Sequence, residues 1–286
     1  MRNFLPLSIA FLTSACTAPQ PEPAAGSTDL TSLMTEATWI DLTHAFDANT
    51  IYWPNNPTGF ELDTQFNGMT PGGWYYSSNA MSAPEHGGTH MDAPVHFAAG
   101  KHTSDQVPLD QLVGTACVLD LTSAVGTDAD HLVSVAEVEA WEKNHGRIPE
   151  GSIVLLRTGW GKYYDDRVKC LGTAEQGEAA IPHLHFPGID PELATWLIAQ
   201  RKPKAVGLDT PSLDRGQSTD FLTHRTLFEA NIPGFENVAN LEQLPAHGAF
   251  VVALPMKIKG GTGGPLRIVA CVPRRSENEM IRGSDN

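Results

Sequence analysis

Basic residues are scarce in this chain. Lys and Arg total 19 against 33 Asp and Glu, a formal net charge of −14 over 286 residues. No cluster of Lys and Arg stands out. Nucleic-acid binding needs a basic stripe to meet the phosphate charge, so that class is excluded. Cysteine is scarce as well, at four residues. Beyond Cys16, the remaining Cys117, Cys170 and Cys271 are odd in number and widely spaced. That excludes a disulfide framework or a cysteine-built metal site. Cys117 in Thr-Ala-Cys-Val-Leu and Cys271 in Ile-Val-Ala-Cys-Val read as buried strand positions, where cysteine acts as a small hydrophobe. No apolar run approaches the roughly 20 residues of a membrane-crossing helix. Internal repeats are also lacking. Core-forming residues are not: 41% of the chain is hydrophobic, which excludes global disorder. The length suits one large domain plus processing segments.

The start of the chain reads as a leader. Met1-Arg2-Asn3 is followed by a largely apolar Phe4 to Leu12, then Thr13-Ser14-Ala15-Cys16. The apolar run is too short to span a bilayer. Small residues before a cysteine resemble a bacterial lipoprotein box, although Leu12 sits one place earlier than that box prefers. The alternative is an ordinary secretory signal. The expected organisation is a signal peptide over 1–15, a flexible Pro- and Ala-rich tether over 16–32, one domain over 33–275 and a disordered polar tail over 276–286. Location is then periplasmic, with lipid on Cys16 as the only membrane contact.

Within the body, apolar runs with strand composition cover Trp39–Leu42, Thr115–Leu121, Ser152–Arg157, Lys204–Leu208, Ala249–Leu254 and Leu266–Val272. Helical signals fall between them. Ser134-Val-Ala-Glu137 is a capping box opening a helix to about Asn144, with Gly146 beyond. Asp190-Pro191 starts a second, to about Arg201. Leu222 to Ala230 form a third, stopped by Asn231. The mixture predicts an α/β or α+β domain with a central sheet.

One segment concentrates chemistry. His86-Gly-Gly-Thr-His90-Met-Asp92-Ala-Pro-Val-His96 holds three histidines and an aspartate in eleven residues. Imidazole and carboxylate suit zinc, manganese or ferrous iron. Gly87, Gly88 and Pro94 oppose a helix. In extended chain His90, Asp92 and His96 point to one side. These features assign His86, His90 and Asp92 to a metal, with His96 free nearby. Chance histidines on the surface or in the core are the bland alternative. His224 and Glu236 lie twelve residues apart across a helix stop that lets both return to one site; alone they read equally as a helix-face histidine and a loop carboxylate.

The segment from His86 to Phe97 resembles the signature of the cyclase-like metal hydrolases, a family that includes bacterial kynurenine formamidase and isatin hydrolase. The resemblance continues through Leu155-Leu-Arg-Thr-Gly-Trp160, Val206 to Asp214, His224, Glu236-Asn237 and Gly260-Gly-Thr-Gly-Gly-Pro265. It implies a swivelling β/β/α domain with a barrel-like sheet, assembled as a homodimer or homotetramer. It implies His86, His90 and Asp92 as ligands of a first ion and His96 as the catalytic histidine. His224 and Glu236 would complete a second site, with Asp92 and Glu236 bridging. The ion would be zinc or manganese, one or two per chain. Trp53, in Tyr52-Trp-Pro54, matches a substrate-contacting aromatic, or else a tryptophan packed in the core. Trp74, Tyr75 and Tyr76 read as packing residues, with pocket lining as the alternative. Asp209 and Asp214 form a possible second carboxylate pair, or are turn residues around Pro211. Glu85 and the Gly-Gly-Thr form lie closer to the isatin hydrolase branch.

The implied chemistry is hydrolysis of an aryl formamide or lactam C–N bond by metal-activated water, with His96 moving protons. A lactone- or polyketide-ring hydrolase or cyclase is the competing enzyme reading. A lipoprotein that binds a metal or ligand without turnover is the non-enzyme one.

Overall fold

The computed structural model describes residues 34–273. The leader, Cys16, the tether and the polar tail lie outside the described residues. The strands are β1 (Thr38–Asp41), β2 (Glu61–Met69), β3 (Tyr75–Ser82), β4 (His90–Asp92), β5 (Val113–Asp120), β6 (Leu132–Val133), β7 (Ile153–Arg157), β8 (Gly188–Ile189), β9 (Ala205–Leu208), β10 (Gly234–Glu236), β11 (His247–Pro255) and β12 (Gly263–Val272). The main sheet runs β1-β12-β11-β5-β7-β9-β10-β4, and β4 pairs back onto β12. Seven strands therefore close into a barrel. One edge of β12 serves two partners: Gly263–Pro265 face β4 and the 269–272 stretch faces β1. This explains why β12 begins three residues before the expected Leu266.

Burial on both faces accounts for the continuous apolar character of the parallel strands β5, β7 and β9. Ala116, Val118, Ile153, Leu155 and Ala205 point into the barrel. Their neighbours Cys117, Leu119, Val154, Leu156 and Val206 point out, into a second core. The outer core is covered by three helices: α1 (Val135–His145), α2 (Pro191–Gln200) and α3 (Leu222–Glu229). Both arms of the Ser134–Glu137 capping box are present. The Asp190 carboxylate accepts from Glu192 N. Asn231 follows α3 with a left-handed φ of 55°. The α/β class, barrel-like sheet and these helix starts are as the sequence predicts.

Two features depart from expectation. Among the described residues β2 and β3 pair only with each other as a two-stranded ribbon, and nearly every residue on both is exposed. Trp74, Tyr75 and Tyr76 belong to this ribbon and its turn. At 63%, 62% and 51% exposure, they neither pack in the core nor line the pocket. Second, Pro94–His96 form a short 3-10 turn, so His96 is turned toward its neighbours by that coil and not by strand alternation.

Candidate metal centre

Strand alternation and register assemble the first part of the site. Met91 of β4 and Phe235 of β10 point into the barrel. Their neighbours His90, Asp92 and Glu236 must therefore point outward, toward α3. Glu236 sits directly across from His90 in the antiparallel pairing. His224 comes from α3, and the loop before β4 contributes His86. Gly88 lets that loop turn: its φ is +58°, and a Cβ there would lie 2.8 Å from the Phe46 ring. Gly88 O in turn contacts His90 Nδ1 at 3.0 Å.

Five side chains converge. His86 Nδ1 lies 2.7 Å from Asp92 Oδ1, and His90 Nε2 lies 3.1 Å from the same oxygen. His224 Nε2 is 3.2 Å from Asp92 Oδ2 and 3.0 Å from Glu236 Oε1. His90 Nε2 is 3.4 Å from Glu236 Oε2. His90, Asp92, His224 and Glu236 are each at most 4% exposed. Two donor sets share Asp92: His90, Asp92 and Glu236, and His86, Asp92 and His96.

The electrostatics are those of a site that needs positive charge. Burial, then the Asp92 charge, pushes the Glu236 carboxyl up. Burial would raise Asp92 too, but His86 and the close contacts with His224, His86 and His90 hold it well below the usual range. Burial would pull His90 down; Asp92 and Glu236 outweigh it and lift His90 to about 9. His224 is raised likewise by Asp214, Asp92 and Glu236 against its burial. Paired buried carboxylates are costly unless matched by a cation. Among the described residues only imidazoles form ion pairs with these two, and Leu213 N donates to Glu236 Oε1 at 2.9 Å. Neutral imidazole and carboxylate donors, with no thiolate, fit zinc, manganese or ferrous iron.

His96 differs from the others. Its ring stacks on His86 at 3.7 Å between centroids, with an interplanar angle of 15°. Burial lowers it to about 4; Asp92 opposes the shift, and the charges of His86, His224 and His90 add to it. It is therefore a neutral proton acceptor at pH 7. A cavity of about 270 Å³ opens on this group. Its apolar walls include Ile51, Trp53, Phe97, Leu171 and Phe221. Trp53 is held by Phe186 and Phe221, both at 6.2 Å between centroids.

The Cyclase family model matches residues 40–215. The chain belongs to the Cyclase family. Isatin hydrolase of Roseibium aggregatum is 32% identical over 248 residues, 80% of this chain and 91% of that one. Kynurenine formamidase of Bacillus cereus is 27% identical over 237 residues, 82% of this chain and 98% of that one. Isatin hydrolase A from Ralstonia solanacearum superposes with a TM-score of 0.75 at 32% identity, covering 89% of this chain and 100% of that chain. This Cyclase-family chain is a hydrolase with a metal-binding centre.

All the residues singled out in the sequence as possible ligands thus lie together, with His96 and Trp53 beside them. Asp209 and Asp214 do not form a pair. Asp209 accepts from the backbone of Thr158, Gly159 and Gly161 and closes that turn. Asp214 accepts from His224 Nδ1 at 2.5 Å and from the backbone N–H groups of Thr223 and His224. Its place in the Val206–Asp214 motif was the one available signal. Phe97 carried only its place at the end of the His86–Phe97 segment, and Phe221 carried none beyond being apolar.

Proposed function

We propose that this enzyme hydrolyses the C–N bond of an aryl formamide or lactam, a small aromatic substrate like N-formylkynurenine or isatin. One observation carries the reading. An aromatic-walled cavity opens onto the His/Asp/Glu cluster with His96 in its lining. A protein that only stored or bound a metal would need neither the cavity nor the free imidazole. Relatives named for isatin and kynurenine chemistry support the substrate class.

His86, His90, Asp92, His224 and Glu236 would hold one or two ions, zinc or manganese. Such an ion supplies Lewis acidity, drawing electron density from a carbonyl and bringing water toward ionisation near neutral pH. Trp53, Phe97 and Phe221 stack the aryl ring so that its carbonyl faces the cluster. His96, neutral, accepts a proton from water and returns it to the departing nitrogen. Burial of the cluster excludes bulk water from everything but the cavity mouth. The test is a panel of isatin, N-formylkynurenine and matched aryl lactones offered to purified protein. Preferred turnover of either nitrogen substrate is expected. Turnover of the lactones alone would move the activity to oxygen esters.

We also propose that a second copy of the chain covers the β2–β3 ribbon, giving a homodimer or homotetramer. An isolated two-stranded ribbon is marginal in water. This one exposes Leu62, Phe66, Met69, Trp74, Tyr75, Tyr76 and Met81 by 39–65%. At roughly 100 Å² each they offer about 700 Å² of apolar surface, near the roughly 800 Å² per partner of a standard interface. Met69→Lys combined with Trp74→Lys should lower the mass seen by light scattering to that of one chain. A wild type that is already monomeric would refute the assignment.

The proposed location is the periplasm, with lipid on Cys16. Cys16→Ser should leave the precursor unprocessed or release protein from the membrane fraction, checked by fractionation and intact mass. Wild type found soluble with Met1 retained would contradict export.

A further inference from the structure

The glycine-rich loop Gly260-Gly-Thr-Gly-Gly-Pro265 has no part in the chemistry above. Its placement gives it one. Gly263 pairs with Asp92 in the sheet, and the loop wraps the outer side of His86. A Cβ on Gly263 would lie 2.6 Å from His86 Cε1, and one on Gly261 would lie 2.7 Å from Glu85 Oε1. Only glycine permits so close an approach on either side of Thr262. The loop is pinned further by Ala93 N donating to Thr262 O at 2.9 Å and Ser104 N donating to Gly261 O at 2.8 Å.

The hydrogen bonds at Thr262 determine where a proton sits. Thr262 N and Thr262 Oγ1 both donate to Glu85 Oε2, at 2.8 Å and 2.6 Å. A carboxylate only accepts, so the one hydroxyl proton is committed to Glu85. His86 Nε2 lies 2.7 Å from the same hydroxyl oxygen. That oxygen has only lone pairs left to offer, so His86 Nε2 must be the donor. The opposite nitrogen, Nδ1, is then the one that faces Asp92. His90 and His224 are fixed the other way round. Their Nδ1 atoms face Gly88 O and the Asp214 carboxylate, leaving Nε2 toward the cluster.

We propose that Glu85 and Thr262 are positioning residues that lock His86 with its proton on Nε2, so that it presents Nδ1 to the centre while His90 and His224 present Nε2. The inference rests on the reading that His86 faces a metal ion. Orienting partners of metal-bound histidines typically change affinity by about 10–100-fold. Thr262→Val keeps the shape and removes the hydroxyl. Thr262→Ser restores the hydroxyl in a smaller residue.

The experiment compares Zn²⁺ affinity of wild type, Thr262→Ser and Thr262→Val by competition with a chelating dye, with melting temperatures as a fold check. Nitrogen-15 NMR of the histidine rings is read on wild type, both metal-free and Zn²⁺-loaded. The expected result is Thr262→Val about 10–100-fold weaker, Thr262→Ser close to wild type, and a proton on His86 Nε2 in both wild-type samples. Equal affinities for wild type and Thr262→Val, or a proton on His86 Nδ1 with Nε2 free, would overturn the inference while leaving the metal reading intact. A wild type that binds no zinc, manganese or iron at all would sink the metal reading itself; the metal-free spectrum still tests the proton position.

Discussion

Asp92→Asn should strip this protein of bound divalent metal and lower its hydrolytic rate by about three to four orders of magnitude. Asp92 is the residue both donor sets share. Its two oxygens contact His86, His90 and His224. Asparagine keeps the shape but loses the charge and one acceptor oxygen. Lewis-acid stabilisation contributes several kcal/mol, and each 1.36 kcal/mol is tenfold in rate, which gives the expected loss. The fold should survive. The backbone of β4 is held by β10 and β12. Asp92 is held well below its usual range by His86, His224 and His90, so its charge stabilises the fold near neutral pH, and the melting temperature of the metal-free variant should fall below that of metal-free wild type while unfolding stays cooperative. Elemental analysis and kcat/KM on the same preparations check this. Full metal content with full activity would remove Asp92 from the centre.

His96→Ala should keep the metal and the fold yet lose roughly two to four orders of magnitude in kcat, the usual range for a general acid or base. The ring is stacked on His86 and half-buried, and it makes no ion pair with Asp92 or Glu236. Its removal therefore costs chemistry more than assembly. The pH dependence should separate these further. A base works only when deprotonated, and this imidazole lies below its ordinary range. Wild-type kcat should then fall on the acid side as His96 takes up a proton, and the variant should lose that limb. A variant that turns over like wild type would assign the proton transfer elsewhere.

Local signals carried most of what was legible. The 86–96 segment concentrates its donors within a few residues, so the ligand types were visible before any fold was known. Strands β1, β5, β7, β9, β11 and β12 and the capped starts of α1 and α2 were visible for the same reason. Contacts made across the chain were not. A spacing of twelve positions from His224 to Glu236 says nothing of distance; what joins them is the register that sets Glu236 opposite His90. β4 and β10 have three residues each, too few for any periodicity. The barrel closure they make was therefore implied only by resemblance. Thr262 and Glu85 are 177 positions apart, and neither residue type suggests a histidine partner. The β2–β3 ribbon has a Pro-Gly-Gly turn, but Tyr75-Tyr76-Ser77-Ser78-Asn79 in β3 breaks any alternation of polarity. Its apolar side chains have no cover among the described residues, so a rule that places apolar residues inside misplaces Trp74, Tyr75 and Tyr76.

If the His/Asp/Glu cluster works as the proposed metal-dependent C–N hydrolase, turnover must depend on bound metal. The most direct measurement is turnover of isatin and N-formylkynurenine by the purified enzyme before and after exhaustive chelation, and again after Mn²⁺ or Zn²⁺ is restored, with metal content determined at each stage. Activity should vanish with the metal and return with it. Undiminished turnover by protein shown to hold no divalent ion would contradict the account.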